Sequence, residues 1–209
     1  VACRNGSVTM VDALLSHGAD ALTAEPSGET ALMTCARTGS TAAVVQLLAA
    51  GSDPNAIELN SGQTALMWAA AGGHTATARA LDEAGTEIDA RSKGEFTPLM
   101  FAARSGALEL ARLLLGSGAT VNTATSEGLS PLLIAAASLD AITGSDYRLV
   151  VESSDHEALG ILLLEHGANV AQADQYGMTP LHYTAEMRKP ALLEALLARG
   201  ADPNAQLSS

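Results

Sequence analysis

Few residues in this chain could do chemistry: five histidines, two cysteines and one adjacent acid–base pair, Asp155-His156. A hydrolytic relay needs a nucleophile beside such a pair. The sequence holds no GxSxG elbow, no HExxH zinc helix and neither of the glycine-rich phosphate loops, GxGxxG and GxxxxGK[ST]. Cys3 and Cys35 form no CxxC pair, and a zinc site or a disulfide framework draws on more cysteines than two. Both are expected to be small buried hydrophobes in Ala-rich helical stretches. The sequence therefore assigns no catalytic residue, no cofactor and no metal ligand, and the chain reads as a non-enzyme.

Composition narrows the partners. The net charge is −12, with only 11 Lys and Arg, scattered along the chain. A phosphate backbone is held by clustered cations that displace its counterions, so neither nucleic acid nor an anionic membrane is an expected partner. An acidic surface suits a neutral or basic protein instead. No apolar run approaches the ~18 residues of a membrane span. Aromatics are 3% of the residues, and the apolar content is mostly Ala and Leu, which favour helix over strand.

The elements that must position any site follow from an internal repeat. A Thr/Ser, Pro/Ala, Leu signature occurs at Thr30-Ala31-Leu32, Thr64-Ala65-Leu66, Thr97-Pro98-Leu99, Ser130-Pro131-Leu132 and Thr179-Pro180-Leu181. The steps between leading residues are 34, 33, 33 and 49. A second series is the glycine at Gly18, Gly51, Gly85, Gly118, Gly167 and Gly200. It lies 21 residues after the Thr or Ser in every unit but the fifth, where the distance is 37. Both landmarks place a 16-residue insertion in that unit, Leu139–Ser154.

Within a unit the chemistry predicts two helices. Thr97 caps the first and Pro98 fits its first turn. Leu99, Ala102 and Ala103 give it one apolar face, and Gly106 ends it. The second helix carries Leu110, Leu113, Leu114 and Leu115, and Gly118 closes it as a left-handed residue. A polar, Gly-bearing stretch then forms a hairpin-like finger. One such unit cannot bury its apolar face alone and must stack on copies of itself.

This pattern resembles the ankyrin repeat, whose signature T-P-L-H-x-A recurs with a 33-residue period. Thr179-Pro180-Leu181-His182-Tyr183-Thr184-Ala185 matches it most closely, and the resemblance covers residues 1–138 and 155–205. The Ala-, Gly- and Arg-rich, Lys-poor usage is similar to that of bacterial arrays. The resemblance implies an all-α solenoid of stacked helix–turn–helix units with short fingers, one domain over 1–209. Its repeats would be 1–26 (partial), 27–59, 60–92, 93–125, 126–174 with insertion 139–154, and 175–209. It also implies a protein–protein interaction module that binds through a concave palm of first helices and through the fingers. The alternative is a regulatory or targeting segment of a larger multidomain enzyme.

Two residues after each signature Leu the repeat has a position that the resemblance turns toward the palm and away from the core. Here it holds Thr34, Trp68, Phe101, Ile134 and Tyr183, with three of the chain's six aromatics. One turn along the same helices stand Arg37 and Arg104. Aromatic anchors flanked by arginine are the composition of an interface hot spot. The centre of the insertion, Tyr147-Arg148-Leu149-Val150-Val151, is too apolar for a plain linker and is expected to form a lip beside the palm. The candidate partner-binding residues are therefore Thr34, Arg37, Trp68, Phe101, Arg104, Ile134, Tyr147, Arg148 and Tyr183.

Several departures carry expectations of their own. The family's histidine after the Leu is present only at His182; Met33, Met67, Met100 and Leu133 replace it elsewhere, and its hydrogen bond into the neighbouring turn is lost there. Asp82 stands where the second Leu of a helical pair belongs and is expected to reach solvent. The last inter-helix turn, Met187-Arg188-Lys189-Pro190, lacks its glycine. His74 and His156 share one register two repeats apart, on the order of 20 Å for helices packed 8–10 Å apart, and cannot share a metal. The register places Val1 inside a helix and ends the chain after a finger, so both ends read as cuts in a longer array. The expected state is a monomer, with end-to-end association through uncapped ends. The compartment is not legible.

Overall fold

The computed structural model describes residues 2–5, 7–137 and 155–207. Among the described residues there are eleven α-helices, one 3-10 turn (Cys3–Asn5) and no strand. The helices are α1 (Val8–Ser16), α2 (Ala31–Arg37), α3 (Thr41–Ala49), α4 (Ala65–Ala71), α5 (Thr75–Glu83), α6 (Pro98–Ser105), α7 (Leu108–Gly116), α8 (Pro131–Ala136), α9 (Asp155–Glu165), α10 (Pro180–Glu186) and α11 (Pro190–Ala198). The fold is an all-α stack of helix pairs.

The signature residues start the first helices as their chemistry predicts. Thr30, Thr64 and Ser130 hold extended backbone, and each hydroxyl accepts the N–H three residues on, at 3.2, 3.4 and 3.3 Å. Thr97 does the same for Met100. At α10 the cap becomes reciprocal: the Thr179 N–H donates to His182 Nδ1 at 3.1 Å. Gly118 has φ 92°, the left-handed state expected of a closing residue. In the turn that lacks glycine, Arg188 adopts φ 54° and takes the left-handed position itself.

The chain divides into two compact units, Val1–Phe101 and Ala102–Ser209. In the first, α2 packs on α4, while α1, α3 and α5 pack in series behind them. Leu32, Met33, Leu66, Met67 and Leu81 are fully buried there. One buried hydroxyl, Thr77, is satisfied across the helix row by Thr41, 2.8 Å away. Asp82, expected to reach solvent, is partly exposed, and Leu81 beside it lies in the core.

In the second unit α9 packs on α7, α8 and α11, and α10 packs on α8 and α11. The contact of α9 with α11 is close because residue 160 is glycine: a Cβ there would stand 2.6 Å from Leu192 Cδ2.

The fingers are turns rather than β-hairpins, with extended pairing limited to one bridge, Ala24 to Thr30, among the described residues. Asparagine staples join neighbouring fingers. Asn55 donates to the Gly85 carbonyl at 3.2 Å and accepts the Glu87 N–H at 2.8 Å. Asn122 repeats this in the second unit with the Gly167 carbonyl and the Asn169 N–H.

The cysteines correct the sequence reading. Both are buried, but they form a disulfide, Cys3–Cys35, with Cα atoms 4.6 Å apart. Cys3 and Cys35 are 32 residues apart, and a repeat brings positions about one period apart onto neighbouring elements.

Candidate functional site

On α2 and α4 of the first unit, and just before α2, Glu29, Thr34, Arg37 and Trp68 form a connected group. Arg37 leaves the last turn of α2 with half of its side chain exposed. Its guanidinium carbon lies 4.8 Å from the Trp68 ring centroid, within cation–π range. The same guanidinium stands 3.7 Å from the Glu29 carboxylate, and that carboxylate accepts the Thr34 hydroxyl at 2.8 Å. Trp68 is partly exposed, while its Nε1 is buried and has no partner among the described residues. The group holds an aromatic face and a cation in one fixed arrangement.

The other residues at the aromatic repeat position are core. Phe101, Ile134 and Tyr183 are 4%, 3% and 4% exposed. Thr34 is itself buried apart from its tie to Glu29. This overturns the expectation that the position is spare. Phe101 stacks on Phe96 with ring centroids 5.6 Å apart. Tyr183 donates its hydroxyl to Asp174 at 2.6 Å, and burial first, then that carboxylate, raises its pKa well above the usual range. Arg104 is half-buried, and desolvation lowers its pKa. Tyr147 and Arg148, with the expected lip, lie outside the described residues.

Each histidine has a structural partner. His74 Nε2 donates to the Arg37 carbonyl at 3.0 Å and His156 Nε2 to the Arg104 carbonyl at 3.1 Å, so each second helix is tied to the first helix of the repeat before it. His17 and His166 donate from Nδ1 to carbonyls in their own helices. His182 reaches the Ala205 carbonyl at 3.1 Å, a turn contact made by the histidine of the signature. Among the described residues no cluster of His, Cys, Asp or Glu could hold a metal, and no helix is long and apolar enough to cross a membrane.

Sequence reasoning missed Glu29 and the finger residues. Glu29 precedes the Thr cap, where the other units hold Gln63, Phe96, Leu129 and Met178, so a lone acid there was a usable signal. The fingers of the first unit expose Leu22, Ile57 and Leu59. Glu58 turns inward between two of these. Burial alone would raise its pKa, but the N–H groups of Gln63, Asn60 and Ser61 donate to its carboxylate and bring it below the usual range.

Stacked helix pairs with hydroxyl caps, closing glycines and amide-stapled fingers define a helical repeat protein. Residues 1–92, 41–125 and 148–206 match a family model described as ankyrin repeats. The chain is also similar to the crystal structure of an ankyrin repeat domain from Acinetobacter baumannii, at 27% identity over 96% of each chain and a TM-score of 0.80. The chain belongs to the ankyrin repeat family. Ankyrin repeats generally serve protein–protein interaction, and the fold is typically non-catalytic.

Proposed function

We propose that this chain is a non-catalytic protein-binding module whose contact face in the first unit centres on Trp68 and Arg37. The observation that carries the reading is the pinned Arg37–Trp68 stack, with Glu29 behind it. It is the one member of the aromatic repeat series that keeps a solvent-facing surface, and the core does not require the Arg37 side chain. Leu22, Ile57 and Leu59 on the fingers extend the face, since exposed apolar side chains at ordered turns gain from being covered. The acidic chain as a whole favours a neutral or basic partner.

The test is photo-crosslinking in cells of the source organism, with the crosslinker placed in turn at Arg37, at Ile57 and at Val45, which is exposed on α3. The same protein captured from positions 37 and 57, and not from 45, supports the reading. Trp68→Ala should then weaken that pair by roughly 2 kcal/mol, the scale of an aromatic hot spot. Capture from 45 alone moves the site to the second helices.

A further inference from the structure

We propose that the Cys3–Cys35 disulfide is a permanent clasp of the amino-terminal segment, and that the chain completes its fold in an oxidising compartment. The inference goes beyond the binding reading and does not depend on it.

The segment it ties down buries few side chains against the other described residues. In α1 only Val11 is buried, whereas α3, one repeat on, buries Ala43, Val44 and Leu47. Met10 and Leu14 of α1 are exposed. A cavity of about 260 Å3 lies where the segment meets α2, with Cys3, Val11, Leu15, Glu29, Thr34 and Leu47 in its wall. Besides the disulfide, its ties include the Thr38 hydroxyl on the Cys3 carbonyl at 3.2 Å and an exposed Arg4–Glu25 pair at 3.9 Å. Disulfides form and persist in oxidising compartments and are rare where glutathione keeps thiols reduced. This one is sheltered in the folded chain, for Cys3 is 5% exposed and Cys35 is 0%. The bond closes a span of 32 residues, long enough to restrict the unfolded chain substantially.

Its formation requires a disulfide donor, a protein of the thiol–disulfide oxidoreductase class in its oxidised form. One cysteine, as thiolate, attacks a donor sulfur and releases the donor's other sulfur as a thiolate. The second cysteine thiolate then attacks its partner's sulfur in the mixed disulfide and releases the donor's remaining thiolate. The two protons lost from Cys3 and Cys35 end on the donor's sulfurs. The cysteines are oxidised by two electrons and the donor disulfide is reduced by two.

The test uses the full chain isolated from its source organism, with free thiols trapped by acid quenching and then alkylated in denaturant. The expected result is no alkylation before reduction and alkylation at both Cys3 and Cys35 after it. Dithiothreitol should lower the melting midpoint of the folded chain by on the order of 10 °C. It should also direct the first protease cuts to the stretch before α2. The Cys3→Ala/Cys35→Ala double variant should start from the lower midpoint and ignore dithiothreitol. Two alkylated cysteines in the unreduced chain would overturn the proposal. So would reduction of the wild-type chain that leaves both the midpoint and the cleavage pattern unchanged.

Discussion

Arg188 shows what a repeat does when one residue departs from it. The turn between α10 and α11 needs a left-handed residue, and arginine supplies it at φ 54° against the clash of its own Cβ with the backbone. Replacing Arg188 with Gly removes that clash but frees the unfolded chain. The net gain should be about 0.5–1 kcal/mol, read as a higher denaturant midpoint; a lower midpoint would show that the arginine side chain holds a contact of its own. Glu58 makes the opposite kind of contribution. Its carboxylate pKa is lower in the folded chain than in the unfolded one, because three backbone N–H groups stabilise the charge. That stability is fully present above the ordinary carboxylate range and is lost as pH falls through the folded value. Glu58→Gln should therefore destabilise the chain at neutral pH and make its acid-side decline shallower, as followed by melting between neutral and strongly acidic buffers. The hydroxyl caps and closing glycines were legible in the sequence because each is local: Thr97 needs only the N–H of Met100 three residues on. Glu58 was not, because nothing in its spacing says that a finger carboxylate turns inward.

At the scale of the helix pair, the same repeat position yields two kinds of residue. Phe101 is packed against Phe96, so Phe101→Ala should cost about 3–5 kcal/mol, comparable with Leu114→Ala in the core. Trp68 keeps an open face, and Trp68→Ala should cost measurably less. Chemical denaturation of the three variants decides the matter, and equal losses would make Trp68 a packing residue as well. The sequence could identify this position but could not sort its occupants. Whether an aromatic on a first helix reaches solvent depends on the neighbouring repeat, as with Tyr183, whose hydroxyl is claimed by Asp174 from the preceding finger. The disulfide escaped for a related reason. Counting Cys3 and Cys35 along the chain hides that one repeat period carries a residue to the adjacent element.

Across the whole molecule, the period of 33 was strong enough to fix the fold class, while the net charge of −12 speaks to how the chain behaves in solution. Self-repulsion of so many like charges opposes the compact state, and salt screens it. The melting midpoint should rise from low to moderate ionic strength; a fall would mean that favourable ion pairs dominate. The family's modular construction also bears on the insertion. The Lys189 Nζ donates to the Ala135 carbonyl at 2.7 Å, closing the end of α8, and His156 anchors the start of α9 to the Arg104 carbonyl. The end of α8 and the start of α9 are thus each moored to another repeat, and the two helices also pack on each other. Removing 139–154 and placing Gly at 155 restores the ordinary three-residue link, with a left-handed residue where Gly39 and Gly106 stand in theirs. The shortened chain should keep its helical content and melting midpoint, and a collapse of either would show that the repeat relies on its insert. For protein engineering, the link between α8 and α9 is then a socket: a peptide or small domain could be spliced there while the surrounding scaffold holds its geometry.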